Sequence, residues 1–219
     1  MKIYLGTNNN NEDVYEELDN LNNVLICGTT GAGKTVYLSR LFNEITSNYS
    51  PEDVQFVIFD AKGLELNSTE YDSHLLFSVT DNNSVIEFRE QIKELMNISY
   101  DRLLSNEPNN PIIVLIDEMS EIQFRGGNTI DMITDLIKDS SKTNIHFFIT
   151  SQRSVIFDKK LLKLVPNKMC FSMTKADSEL FIGKADAEKL KGAGDVIALV
   201  NSREHKLQIK PYDGELYVK

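Results

Sequence analysis

The chain has 219 residues, 41% hydrophobic and 26% charged, enough apolar side chain for one large core, which excludes general disorder. Its 23 basic against 33 acidic residues give a net charge of −10, which excludes a uniformly basic, nucleic-acid-coating protein but leaves local basic patches or a ring pore open. Two cysteines, Cys27 and Cys170, exclude a disulfide framework. Apolar runs such as Ile112 to Ile116 are too short to span a bilayer, and the N-terminus lacks a signal-peptide run. A cytoplasmic chain with no membrane insertion of its own is expected, any anchor lying on a longer parent chain or a partner.

Along the chain, Asn8-Asn9-Asn10-Asn11 reads as an exposed turn near the start. Val24 to Cys27 predicts a buried strand. Gly28-Thr29-Thr30-Gly31-Ala32-Gly33-Lys34-Thr35 then matches the phosphate-loop pattern G-x-x-x-x-G-K-[ST] without a mismatch. Glycines let the backbone curl so that successive N–H groups point at phosphate oxygens, and the following helix adds its N-terminal dipole. Lys34 has the reach for β- and γ-phosphates, and the Thr35 hydroxyl suits Mg²⁺. The spacing of Val36, Leu38, Leu41, Phe42 and Ile45 predicts a helix over Lys34 to Ser47, followed by a strand over Val54 to Phe59 ending at Asp60. Asn83 to Leu104 predicts a long helix.

Ile112 to Ile116 predicts a fully buried strand that delivers Asp117 and Glu118 at its end. Adjacent strand-end residues diverge, so Asp117 can serve the Mg²⁺ shell while Glu118 faces an attacking water; the bland alternative is a pair that caps the next helix. Phe124-Arg125-Gly126-Gly127-Asn128 reads as a mobile loop, either a pore loop or an exposed turn. Ile130 to Ile137 predicts a helix and Ile145 to Thr150 a strand, after which Gln152 is the candidate to contact a γ-phosphate or position water, the alternative being a polar turn with no ligand. Between Arg153 and Lys175 lie Arg153, Lys159, Lys160, Lys163, Lys168 and Lys175 with one acid, Asp158. This run reads either as a face toward DNA or a neighbour's nucleotide, or as a solvated helix face. Strands are predicted at Lys168 to Met173, Asp195 to Val200 and Lys206 to Ile209. Alternating helices and two-sided apolar strands imply one α/β domain over residues 1–219 with a largely parallel sheet, its ligands at the carboxyl ends of the strands.

The ordered motifs resemble the FtsK/SpoIIIE family of P-loop motors over almost the whole chain. The resemblance runs through Leu5-Gly6, Leu21 to Gly31, Phe59-Asp60-Ala61-Lys62-Gly63-Leu64-Glu65-Leu66 (alanine where the family has proline) and Asp117-Glu118-Met119-Ser120-Glu121-Ile122. It continues through Asn144-Ile145-His146, Thr150-Ser151-Gln152-Arg153, Asp177-Ser178, Ala187 to Leu190 and Gly192-Ala193-Gly194-Asp195. It implies a RecA-like core binding ATP and Mg²⁺, with Lys34, Thr35, Asp117 and Glu118 in the roles above, and assembly into a ring, a hexamer. It also implies double-stranded DNA as the polymer moved, or a secreted protein in the type VII branch; a degenerate nucleotide-binding module that regulates a ring is the non-enzymatic alternative. Family arginines are replaced at three places: Ile137 to Thr143 carries only lysines, Ile98-Ser99 precedes Tyr100, and Glu179 follows Asp177-Ser178. A neighbour must then supply Arg153, Lys138 or Lys142 instead, or supply nothing.

Overall fold

A computed structural model of the chain describes residues 1–60, 73–79, 85–105, 107–125 and 127–213. Its strands are β1 (Lys2–Thr7), β2 (Asp13–Glu17), β3 (Val24–Cys27), β4 (Gln55–Asp60), β5 (Leu75–Val79), β6 (Ile112–Asp117), β7 (Ile145–Ser151), β8 (Lys168–Phe171), β9 (Asp195–Val200) and β10 (Arg203–Gln208). The helices are α1 (Leu18–Leu21), α2 (Lys34–Asn48), α3 (Val85–Leu104), α4 (Met119–Arg125), α5 (Thr129–Thr143), α6 (Lys159–Leu164) and α7 (Lys175–Ile182). The strands form one sheet in the order β2-β1-β10-β9-β8-β3-β7-β6-β4-β5. From β8 to β5 every pairing is parallel; from β8 outward to β2 every pairing is antiparallel.

Strand alternation divides the core into two layers. Leu25, Val57, Val114 and Phe147 pack with Phe88, Ile92 and Leu95 of α3 and Ile133, Leu136 and Ile137 of α5. Val24, Ile26, Phe56, Ile58, Ile113 and Phe148 face the opposite way, onto Tyr37, Leu38, Leu41, Phe42 and Ile45 of α2. Burying each such side chain stabilises the fold by about 1.5–3 kcal/mol, so strands covered on both faces read as unbroken apolar runs.

The N-terminal hairpin of β1 and β2 was not expected from the sequence. Its turn is the asparagine run: Asn8 Oδ1 accepts the N–H groups of Asn10 at 2.9 Å and Glu12 at 3.0 Å, and Asn11 adopts φ +64°. Arg40 of α2 ties this hairpin down. Its guanidinium donates to Asp13 at 2.9 Å, to Glu44 at 3.1 Å and to the Lys210 carbonyl at 3.1 Å, and lies 3.4 Å from the Tyr4 ring centroid.

Helix α5 runs beyond Ile137 to Thr143, because buried Ser140 and Thr143 satisfy their hydroxyls on the carbonyls of Ile137 and Asp139; it stops where Asn144 turns left-handed at φ +53°. The loop expected at Phe124 to Asn128 is corrected: Phe124 and Arg125 belong to the last turn of α4, and Gly127-Asn128 form the turn before α5. The Ala61 to Leu66 stretch and Gly126 lie outside the described residues. Among those described, no helix is long and apolar enough to cross a membrane.

Candidate nucleotide-binding site

The carboxyl ends of β3, β6 and β7 converge on a cleft of about 440 Å³. Gly31, Lys34 and Thr35 from the β3–α2 loop, Asp117 and Glu118 after β6, and Gln152 after β7 line it, as expected from the sequence. Two contributors were not expected: Ala193-Gly194 ahead of β9, and Ile209 and Pro211 beyond β10. Both follow from the antiparallel extension, which brings the start of β9 and the end of β10 to the same end of the sheet as the carboxyl end of β8.

The loop is held by its neighbours. Gly28 N–H donates to the Ser151 carbonyl at 3.2 Å, and Thr29 N–H to the Ser172 carbonyl at 2.8 Å. Gly33 caps helix α2 from just outside it; its φ of +113° suits glycine, and its lack of a side chain leaves the helix end without a side-chain cap. The first i→i−4 bond runs from Tyr37 N–H to the Gly33 carbonyl at 3.0 Å. No side chain caps this helix end, and its positive dipole end lies at the cleft. Lys34 is buried, and its ammonium donates to the carbonyls of Gly28 at 2.7 Å and Thr29 at 3.1 Å. Cys27, the last residue before the loop, is inert at neutral pH, since burial pushes its thiol up to about 12.

The two carboxylates are fixed in different ways. Asp117 Oδ2 accepts the Thr35 hydroxyl at 3.2 Å, and Oδ1 accepts the Thr150 hydroxyl at 2.7 Å. Two hard oxygen donors on adjacent elements suit Mg²⁺, an ion that keeps several waters and takes only one or two carboxylates. That set fits the ion, as the uncapped helix end fits phosphate. Glu118 has φ +74°, uncommon for a residue with a side chain. Its Oε1 accepts the hydroxyls of Ser120 at 2.6 Å and Ser151 at 3.3 Å, and the N–H of Gln152 at 3.4 Å. The carboxylate is thus aimed toward β7 rather than onto the N–H groups of its own helix, as a cap would be. Gln152 Oε1 accepts the Thr30 hydroxyl at 3.0 Å, joining the end of β7 to the phosphate loop. Together these groups can hold a triphosphate, orient a metal-bearing carboxylate and place a second one beside it.

Of the three trans cations weighed, Lys138 pairs with Asp135, and Lys142 lies 3.7 Å from Asp139. Arg153 is exposed and has no ion-pair partner within 4 Å among the described residues. The structure also divides the basic run. Lys159, Lys160 and Lys163 are exposed on α6, whereas half-buried Lys168 donates to the Phe181 carbonyl at 3.0 Å and Lys175 lies 3.9 Å from Glu179.

A profile of the FtsK/SpoIIIE family matches residues 1–179. The DNA translocase FtsK of Oceanobacillus iheyensis is 29% identical over 225 residues, covering 88% of this chain; the chain spans only 28% of the length of that relative. Among solved structures, the cytoplasmic domain of the Thermomonospora curvata type VII secretion ATPase EccC superposes with a TM-score of 0.80 at 15% identity, over 98% of this chain and 29% of that one. The pCW3 conjugation coupling protein TcpA, in its monomer form with ATPγS, superposes at 0.75 and 18% identity, over 94% of this chain and 65% of that one. At these identities the two structures attest the P-loop ATPase fold.

Proposed function

The chain belongs to the FtsK/SpoIIIE family, and we propose that it is an ATP-binding and ATP-hydrolysing motor domain that drives double-stranded DNA translocation as part of a cytoplasmic ring, a hexamer. Residues 1–219 act as one ATPase unit. Residues Gly28 to Thr35 hold the triphosphate, and Lys34 neutralises its β- and γ-oxygens. Thr35 and Asp117 hold Mg²⁺, which when bound offsets charge on the transferring phosphoryl group. Glu118 orients and deprotonates water, and Gln152 positions that water or the γ-phosphate.

The observation that carries this reading is the meeting, in one cleft, of the uncapped α2 N-terminus, the Thr35–Asp117 pair and the strained Glu118. Sequence identity to a DNA translocase over most of the chain favours DNA as the polymer, and the exposed lysines of α6 supply phosphate-facing charge despite the acidic total. The test is ATP turnover at several protein concentrations, with and without linear duplex DNA. Turnover should be weak alone and rise with concentration and with DNA. Stimulation by an unfolded polypeptide but not by DNA would move the reading to protein secretion. No turnover beyond the first would leave a regulatory nucleotide-binding module.

A further inference from the structure

We propose that Thr150 is a positioning residue that sets both acids of the site through one hydroxyl, an inference that rests on the nucleotide-binding reading above. Thr150 is fully buried near the end of β7. Its Oγ1 accepts the Glu118 N–H at 2.9 Å and donates to Asp117 Oδ1 at 2.7 Å. A hydroxyl has one proton, so its donation to Asp117 leaves the lone pair that Glu118 N–H uses. The two bonds are therefore compatible and mutually polarising.

Each has a separate consequence. The bond to Oδ1 stops the Asp117 carboxylate from rotating about its last torsion, which keeps Oδ2 on the Thr35 side, 3.2 Å from that hydroxyl. The bond from Glu118 N–H pins the peptide at the one point where the chain takes φ +74° between β6 and α4. A conformation this sparsely populated persists only where its surroundings impose it. Thr150 is such a surrounding group, and it comes from a different strand. The metal-bearing oxygen and the water-facing carboxylate are thereby set from β7, the strand whose end also carries Gln152. None of the lining residues does this work, because Thr150 lies behind the two acids.

The experiment compares wild type with Thr150→Val, Thr150→Ala and Thr150→Ser. Valine keeps the shape and removes the hydroxyl; alanine removes it without forcing a methyl against a buried N–H, and serves if valine fails to fold; serine restores the hydroxyl. ATP affinity is measured by calorimetry across a Mg²⁺ titration, beginning with chelator alone, and single-turnover hydrolysis follows at saturating Mg²⁺. The expected result is that Thr150→Val and Thr150→Ala bind ATP without Mg²⁺ within about twofold of wild type. They should need about tenfold more Mg²⁺ for its half-maximal effect on affinity, and hydrolyse at least about tenfold more slowly. Thr150→Ser should lie within about twofold of wild type in all three measurements. A folded valine or alanine variant with wild-type Mg²⁺ dependence and hydrolysis overturns the inference, as does a serine variant as impaired as alanine, which would make the methyl group's packing the cause. A wild-type chain that binds no ATP with or without Mg²⁺ overturns the functional reading itself, and the inference with it.

Discussion

At the scale of single residues, the proposed roles separate binding from hydrolysis. Lys34 holds the loop from inside through the carbonyls of Gly28 and Thr29, and among the described residues it is the one long cation lining the cleft. We predict that Lys34→Ala lowers ATP affinity by about a hundredfold or more, as expected from losing a charge-assisted contact in a buried site; affinity within a few-fold of wild type would remove the phosphate-loop assignment. Glu118 acts differently, because its carboxylate is held by Ser120, Ser151 and the Gln152 N–H rather than by the loop. Glu118→Gln keeps the size and most of the hydrogen bonding but cannot take a proton. It should bind ATP as wild type does and hydrolyse it about 10²–10⁴-fold more slowly. Equal losses in binding and turnover would assign Glu118 a structural role instead. Both residues were legible in the sequence, because a complete loop pattern and two acids at the end of an apolar run are local signals. Thr150 was not. At the end of Ile145-His146-Phe147-Phe148-Ile149 a threonine reads as one more β-branched strand residue, and its bonds span 32 and 33 residues.

At the scale of elements, the cleft is completed by a strap that only the folded chain reveals. Gly194 N–H donates to the Ala32 carbonyl at 2.8 Å, inside the phosphate loop, and the Gly194 carbonyl accepts the Ile209 N–H at 2.8 Å. A short ladder thus joins the loop, the start of β9 and the exit of β10. Gly194 has φ +91°, and a Cβ there would stand 2.7 Å from the Ile209 carbonyl oxygen. Gly33 meets it from the other side, its own Cβ position 3.0 Å from the Gly194 Cα. The two glycines let two backbones pass at a distance no side chain permits. Gly194→Ala should therefore destabilise the fold by about 1–3 kcal/mol, lowering the melting midpoint by several degrees, and weaken ATP binding through the displaced loop. A variant with unchanged melting and unchanged ATP affinity would show that the strap gives way at no cost. The parallel strands could be read from their runs because burial on both faces leaves no polar alternation to confuse. The β1–β2 hairpin could not: its anchor is Arg40, a buried cation in a helix, whose partners Asp13, Tyr4 and Lys210 are scattered along the chain. Strand β5 is half-buried at the sheet edge and carries no strong pattern.

At the scale of the whole molecule, the question is whether one chain suffices for rapid hydrolysis. Among the described residues, the groups lining the cleft provide one cation, Lys34, for the charge that develops on a transferring phosphoryl group. P-loop NTPases gain about 10³–10⁵ in rate when an arginine joins that lysine. Lys138 and Lys142 lie beside acids of their own helix, whereas Arg153, exposed like them, has no ion-pair partner within 4 Å among the described residues and directly follows Gln152, near the cleft but outside its lining. In a head-to-tail ring the same surface of every subunit meets the next subunit's site, so one exposed arginine can serve each interface. A net charge of −10 opposes such crowding until a polyanion or a partner domain gathers the subunits. We therefore predict slow turnover by the monomer, rising with concentration, and complementation between two inactive variants. Glu118→Gln subunits keep Arg153 but cannot activate water; Arg153→Ala subunits keep Glu118 but donate no arginine. Mixed at random in equal amounts, about one interface in four unites an intact Glu118 with a neighbour's intact Arg153. Activity should then return to a fraction of wild type that neither variant shows alone. If Arg153→Ala by itself retains wild-type turnover at every concentration, Arg153 is not the donated group. Fast turnover independent of concentration, by a protein shown by sedimentation to be monomeric, would remove the need for a ring, because every group that hydrolysis requires would then lie within one chain.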